Sequence, residues 1–435
     1  MSTIEGQVRD VQVGRRGRGN KAGRGTRGRL AIVRDVRTSA TPFWVLLSAI
    51  VALCLIGLVF VLSASSVKAE HALDTPWYFF FRQAISLVIG AFVAYVAYRI
   101  DYHVWVRFGP LVLLVALGLL VAVLTPLGDE VNGASRWLGP DLVGFQPSEL
   151  AKLGIVLWLA GLLARREAEA RDWRRTVAPA LLIVGVVAGL IVVEPDLGTT
   201  LLVVSVAFVM LVVVGCRLDV LAVVLIPASL LALLFSMQGF RGGRMRAFLD
   251  PWAHADNWGF QTLQSQVGLA SGGLFGVGLG QSRAKWGFLP EAHTDFIFSI
   301  IGEELGLVGC TVVIGLFIAV VGAGVLAGRR APDTEGMLVA VGISSWIGIQ
   351  ALINIGVAVG ALPNKGITLP LVSYGGSSLI MSLLATGILL NVARHAANKP
   401  IASTRGARAA STARGARKAG TASSRRAGAV TSRRP

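Results

Sequence analysis

The feature that most constrains this chain is a series of apolar runs, several of them 18 or more residues long, that recurs along most of its length. A helical run of this length matches the hydrocarbon thickness of a bilayer. A helix also satisfies its own backbone hydrogen bonds, as any segment that crosses a membrane must. Hydrophobic residues make up 54% of the chain and charged residues only 15%, which excludes an ordinary soluble globular class.

The apolar runs predict about ten transmembrane helices. They are expected at residues 43–63, 77–98, 104–124, 149–164, 176–193, 197–214, 218–236, 295–327, 336–361 and 371–393. All of them lie in a membrane body at 41–395, and a long connection at 237–294 separates the seventh helix from the eighth. The predicted fold is therefore an all-α polytopic membrane protein.

Positive charge is concentrated at the two ends of the chain. Residues 1–40 carry a net charge of +7 and residues 396–435 carry +10, which together equal the +17 of the whole chain. Both segments are of low complexity, so we expect disordered basic arms outside the membrane body. Anionic lipids of the inner leaflet are the partner we favour for these arms, ahead of an acidic division protein, and no nucleic acid partner is expected.

The distribution of Lys and Arg among the short connections predicts the orientation. If the amino terminus is cytoplasmic, the connection at 165–175 with its five arginines lies inside, as do both termini. The short outside connections then carry only Lys68, Arg136 and Lys365. We therefore expect a multi-pass protein with both ends in the cytoplasm.

The long connection at 237–294 is predicted to lie outside, yet it is rich in basic residues. They are Arg241, Arg244, Arg246, Arg283 and Lys285. Long loops cross a membrane largely regardless of charge, so this composition has a neutral interpretation. It also favours an anionic ligand on the outer face, such as a phosphate.

Two outer connections place acidic residues at predicted helix ends. Pro147 and Ser148 indicate a helix start, so Glu149 and Lys152 share one face of its first turn. They are predicted as an ion pair, either in a functional cavity or only in helix packing. The second connection is Glu194-Pro195-Asp196, whose acids are more typical of helix caps than of catalysis.

The long connection ends in a glycine-rich stretch at 271–280 and an acidic helix start. No strand is predicted before the glycines, so a dinucleotide site is rejected in favour of a flexible or re-entrant segment. Asp295 opens the predicted eighth helix beside Glu291 and His293. It is either a general base or a helix cap. The deeper acids Glu303 and Glu304 are expensive in a membrane and therefore also suspect.

The last outer connection, at 362–370, contains Lys365 and runs into the polar stretch 373–378, which includes Ser377. Small polar residues let helices approach closely, so packing alone would be a sufficient explanation of the stretch.

Seven motifs on the outer connections together resemble the shape, elongation, division and sporulation (SEDS) family of bacterial peptidoglycan polymerases, over roughly residues 41–395. They are NGASRWLG, QPSELAK, EPDLGT, RAFLDPW, LPEAHTDFIFSIIGEELG, NIGVAVGALP and LPLVSYGGSSL. The segment around Lys365 is closer to the division member of the family than to the elongation member. Ser135 stands where the family often has a second arginine.

The resemblance implies the SEDS fold and an inverting glycosyltransferase of the bacterial inner membrane, at the division septum. It would join lipid II to a lipid-linked growing glycan and release undecaprenyl diphosphate. The resemblance maps the general base onto Asp295. Candidates for substrate binding are Glu149, Lys152, Arg136, Trp137, Arg246, Glu291, His293, Lys365 and Ser377.

The family also implies partners, namely a class B penicillin-binding protein that acts as transpeptidase, and other divisome proteins. No cofactor or metal site is assigned from the sequence, although the outer carboxylates could hold a divalent cation such as Mg or Mn. Two other functions stay open. They are a lipid II flippase and a non-enzymatic division scaffold.

Overall fold

The computed structural model describes residues 22–131, 134–139, 144–223, 239–257 and 259–398. The helices are α1 (Ala22–Leu73), α2 (Tyr78–Arg99), α3 (Tyr102–Val123), α4 (Pro147–Arg165), α5 (Ala178–Val193), α6 (Leu197–Val213), α7 (Gly239–Leu249), α8 (Phe260–Ser271), α9 (Ile297–Arg330), α10 (Thr334–Ala358) and α11 (Gly376–Asn398). Strands β1 (Gly128–Val131) and β2 (Ala134–Leu138) form an antiparallel hairpin between α3 and α4.

Within the described residues, eight helices are long and apolar enough to cross a membrane. They belong to α1, α2, α3, α4, α5, α9, α10 and α11. Helix α6 is apolar but shorter. Of the helix predicted at 218–236, residues 218–223 are helical and the remainder lies outside the described residues. The prediction of an all-α polytopic membrane protein is confirmed.

Two helices begin at least five residues away from their predicted starts. Helix α1 begins at Ala22, so its first turns fall in the segment expected to be a disordered arm. Ala, Arg and Leu have high helix propensities and extend the helix out of the apolar run. Helix α11 begins at Gly376 and not at 371, because the preceding residues form turns beside α2.

Helices α4, α10 and α11 form the interior of the bundle. Most of each is buried, whereas α2 exposes nearly all of its length to the surroundings. Helix α3 lies directly against α4, where a Cβ added to Gly154 would be 3.0 Å from Leu113 Cα. Such close backbone approach strengthens packing where lipid leaves no hydrophobic driving force between helices.

The glycine-rich segment 272–280 pairs with α9 at a point where that helix is broken. Gly306 has φ 66° and ψ −161°, which interrupts the helical hydrogen bonds. The segment pairs with the broken backbone, since Val277 N donates to Glu303 O at 3.0 Å and Leu307 N donates to Gly273 O at 2.9 Å. The segment is therefore held against α9, and its re-entrant position in the bilayer stays a prediction.

The two acids in α9 that the sequence left suspect bind residues just after this segment and a residue of α1. Glu303 accepts hydrogen bonds from Arg283 N at 2.8 Å and from Ser282 Oγ, and Glu304 accepts from Ser63 Oγ at 2.6 Å. Buried carboxylates with such donors are tolerated at membrane depth.

The addition of one methyl group at Gly276 tests the contact between the glycine-rich segment and α9. Gly276 has φ +81°, and an added Cβ would lie 2.0 Å from Glu304 O, so we expect Gly276→Ala to lower the stability by at least about 2 kcal/mol. The matched control is Gly280→Ala, because Gly280 has φ +77° but no heavy atom within 4 Å of the added Cβ. Thermal unfolding in detergent gives both values. Equal losses of stability in the two variants would show that the contact with α9 does not stabilise the protein.

Candidate active site

Asp295 lies in the connection to α9, at the end of the bundle where α4, α6 and α9 begin and α5 and α10 end. Its side chain is half-buried. Its backbone carbonyl accepts a hydrogen bond from Asn354 Nδ2 at 2.8 Å, and a Cβ added to Gly366 would be 3.5 Å from Asp295 Oδ2. Phe296 occupies the cap position of α9. Asp295 is thus one residue too early to cap the helix, which removes the alternative role.

The surroundings of Asp295 raise the pKa of its carboxyl group to near neutral pH. Burial, together with the charges of Glu291 and Asp196, raises its pKa to about 7 against the opposing charges of Arg244 and Arg136. A base with a pKa close to the working pH combines a useful ionised fraction with proton affinity. The carboxylate is therefore suited to general-base catalysis.

Two arginines bring positive charge to this carboxylate from different elements. Arg136 on β2 donates from Nε to Glu194 O at 3.0 Å and from Nη2 to Pro195 O at 2.6 Å. Arg244 on α7 has its pKa lowered by burial and by the charge of Arg136. Two guanidinium groups that repel each other beside a carboxylate form an environment that an anion would stabilise.

The arginine of α7 that acts on Asp295 is Arg244, and not the candidate Arg246. Both arginines are exposed, and the backbone carbonyl of Arg246 accepts from Asp250 N at 2.9 Å. Residues two apart on an α-helix point about 200° apart, so both cannot face one site. Of the two, Arg244 is therefore the one whose charge acts on Asp295, while the role of Arg246 in phosphate binding stays a prediction.

The Glu194-Pro195-Asp196 connection has one capping acid and one buried acid. Asp196 accepts hydrogen bonds from Thr199 N at 2.9 Å and from Thr199 Oγ1 at 2.8 Å, which confirms a cap on α6. Glu194 is 1% exposed, and burial together with the charge of Asp196 raises its pKa to about 8. Glu194 is thus mostly protonated at neutral pH.

The predicted ion pair between Glu149 and Lys152 is confirmed. Lys152 Nζ lies 2.7 Å from Glu149 Oε2, and the two side chains are only 4% and 6% exposed. Lys152 also donates to Gln350 Oε1 at 3.1 Å and lies 4.9 Å from the centroid of the Trp346 ring. A small apolar cavity lies beside the aliphatic part of the Lys152 side chain. It is lined by Lys152, Ile155, Val156, Leu202, Val203, Val206 and Trp346.

One face of α10 carries two amides that the sequence analysis passed over. Gln350 Nε2 donates to Thr368 O at 3.0 Å, and Asn354 Nδ2 donates to Ile367 O at 2.7 Å. The i,i+4 spacing of two amides within an apolar run is the signal that could have identified them. Together they attach the 362–370 connection to α10.

Glu291 and His293 belong to a neighbouring cluster. Glu291 pairs with Lys68 at 3.1 Å, with both side chains nearly half exposed. The His293 ring is buried, 4.8 Å from the ring of Phe79 and 5.5 Å from that of Tyr374 between centroids. Burial lowers the pKa of His293 to about 4, so the ring is neutral at physiological pH. His293 therefore packs the junction of α2 with the site, while Glu291 acts on Asp295 through its charge.

Three other candidates lie around the same end of the bundle. Ser377 Oγ donates to Gly144 O at 3.2 Å, and a Cβ added to Gly144 would lie 3.4 Å from the Trp137 ring. Lys365 Cβ would be 3.2 Å from a Cβ added to Gly198, at the start of α6. Their roles toward a substrate stay predictions.

A metal site is not assigned. Among the residues that the structure describes, no three His, Cys, Asp or Glu side chains lie close enough together to hold one ion. Participation of a divalent cation stays a prediction.

A family model described as "Cell cycle protein", which covers FtsW, RodA and SpoVE, matches residues 44–398. "Probable peptidoglycan glycosyltransferase FtsW" of Coxiella burnetii is 40% identical, over 82% of this chain and 96% of that protein. "Stage V sporulation protein E" of Bacillus subtilis is 42% identical, over 78% of this chain and 93% of that protein.

Two solved structures share the fold. A chain of a peptidoglycan synthase complex, described as coordinating polymerization and crosslinking, is 30% identical with a TM-score of 0.66, covering 82% of this chain and 98% of that one. The rod shape determining protein RodA of Thermus thermophilus is 31% identical with a TM-score of 0.61, covering 81% of this chain and 96% of that one.

Proposed function

Because the chain belongs to the FtsW, RodA and SpoVE family of cell cycle proteins, we propose that it polymerises lipid II into β-1,4-linked glycan with Asp295 as general base. Its activity is that of a peptidoglycan glycosyltransferase, as its relatives are named. The observation that carries the proposed mechanism is a half-buried carboxylate at the start of α9, with a pKa of about 7, that interacts with the charges of Arg136 and Arg244.

The reaction balances with these groups. Asp295 takes the proton from the acceptor sugar hydroxyl as that oxygen forms a bond to the anomeric carbon of the donor. The bond between this carbon and the diphosphate oxygen breaks on the opposite face, which inverts the configuration. Undecaprenyl diphosphate leaves with the electron pair, and Arg136 and Arg244 stabilise its negative charge.

Production of glycan from lipid II by the purified protein in detergent tests the activity. A flippase or a scaffold would leave lipid II unpolymerised. The location of the polar groups favours the enzyme, because Asp295, Arg136, Arg244 and Asp196 act on one another at a single end of the bundle. A flippase would need polar access from both faces. Failure to form polymer with the transpeptidase partner present would refute the proposal.

The rate of polymerisation is expected to rise with pH through about 7, because only the ionised form of Asp295 accepts a proton. Burial raises this pKa most, the charges of Glu291 and Asp196 raise it as well, and the charges of Arg244 and Arg136 lower it. Initial rates at saturating lipid II between pH 5.5 and 8.5 give the midpoint. A rate independent of pH across this range would contradict the assignment.

The support for the partner and for the cellular location is less specific than the support for the activity. A similar fold occurs in a synthase complex that coordinates polymerization with crosslinking, which supports a class B penicillin-binding protein as partner. We further propose that the Asp295 end faces outward, that both termini are cytoplasmic, and that the protein acts at the septum. Septal or side-wall localisation of a fluorescent fusion would separate a division role from an elongation role.

A further inference from the structure

We propose that Asn354 is a positioning residue, which holds the Asp295 backbone and the 362–370 connection in one fixed arrangement. The proposal rests on the function assigned to Asp295 above. Asn354 is 1% exposed and lies near the end of α10. Its single amide nitrogen donates to Asp295 O at 2.8 Å and to Ile367 O at 2.7 Å.

The orientation of this amide follows from its partners. Both contacts are backbone carbonyl oxygens, which only accept hydrogen bonds, so the nitrogen must face them. Each hydrogen of the amide group is therefore assigned to one carbonyl. A flipped amide would place its oxygen against two other oxygens and leave both carbonyls without these donors.

The two carbonyls belong to segments that meet at the candidate base. Ile367 follows Gly366, whose added Cβ would be 3.5 Å from Asp295 Oδ2. Asn354 thus joins the backbone of Asp295, which carries the carboxylate, to the backbone of the 362–370 connection, which lies beside that carboxylate. Loss of both donors would let the segments move independently, and a displacement of about 1 Å can lower a rate by about 100-fold.

Asn354→Leu tests the proposal, because leucine keeps the approximate volume and removes both donors. Relative to wild type, kcat is expected to fall about 10- to 100-fold while KM for lipid II stays within about threefold. The midpoint of the pH profile is expected to move down, toward the ordinary range of an aspartate. Looser packing would admit water to a carboxyl whose pKa is raised chiefly by burial.

Asn391→Leu is the matched control. Asn391 is also 1% exposed on an inner helix, accepts from Tyr102 N at 3.0 Å and donates to Tyr98 O at 2.8 Å. It lies 15 residues beyond the start of α11, or on the order of 20 Å along the helix. Its removal should lower the melting temperature and leave kcat and the pH midpoint unchanged.

The two variants decide the proposal together with Asp295→Asn in the same assay. A fall in kcat confined to Asn354→Leu, with a shifted midpoint, supports positioning. If Asn354→Leu matches the control in kcat or in midpoint while Asp295→Asn is inactive, the positioning role is overturned and the assignment of the base stands. If Asp295→Asn is active, the assignment of the base has failed, and the positioning role is overturned with it.

Discussion

Asp295→Asn is expected to lower the rate of glycan polymerisation by about 10²- to 10⁴-fold, the usual contribution of a general base. Asparagine keeps the shape of the side chain and cannot accept the proton of the acceptor hydroxyl. The rate is measured with lipid II and the purified variant together with its transpeptidase partner. Asp256→Asn is the control, since Asp256 is an exposed aspartate of the long connection and should retain the wild-type rate.

The stability of the same variant separates a chemical loss from a folding defect. The pKa of Asp295 is raised by burial to about 7, above its value in an unfolded chain near 4. The contribution of this group to the free energy of unfolding is therefore fully present below about pH 4 and is lost as the pH rises through about 7. At pH 8 Asp295→Asn should melt at the same or a higher temperature than wild type. An inactive variant that also melts lower would not support the role of a base.

The parts of the molecule that local sequence patterns determine were predictable. The spans follow from apolar length, because a bilayer demands that length of any helix that crosses it. The ion pair between Glu149 and Lys152 follows from the i,i+3 geometry of a helix whose start is marked by Pro147. Asp295 could be singled out at the start of an apolar helix, where an aspartate is commonly a cap, and only the family resemblance implied the role of general base.

The parts that depend on long-range pairing were not predictable. The choice of Arg244 over Arg246 depends on the rotation of α7 against the bundle, which a short helix with charges on several sides does not specify. The partners of Asn354 are backbone carbonyls that lie 59 and 13 residues away in sequence. The sequence predicted a flexible or re-entrant glycine-rich segment, but not the pairing of this segment with the broken backbone at Gly306.

Removal of one partner of the buried ion pair is the change expected to destabilise the fold most. Lys152→Met leaves the carboxylate of Glu149 buried with its cation gone, which should cost about 3–5 kcal/mol. The double variant Glu149→Gln with Lys152→Met removes both charges, and we expect it to recover most of this loss. Unfolding of the single and double variants in detergent gives the coupling energy.

The exposed ion pair between Lys68 and Glu291 is the natural comparison, because its side chains are 49% and 43% exposed. Lys68→Met should cost less than about 1 kcal/mol, since water stabilises the carboxylate that remains. An equal cost at the two sites would show that burial does not govern the Glu149 pair. The activity of the stable double variant then decides between the two interpretations of Glu149 and Lys152. A folded but slow enzyme indicates contact with the substrate, whereas a folded enzyme with the wild-type rate reduces the pair to helix packing.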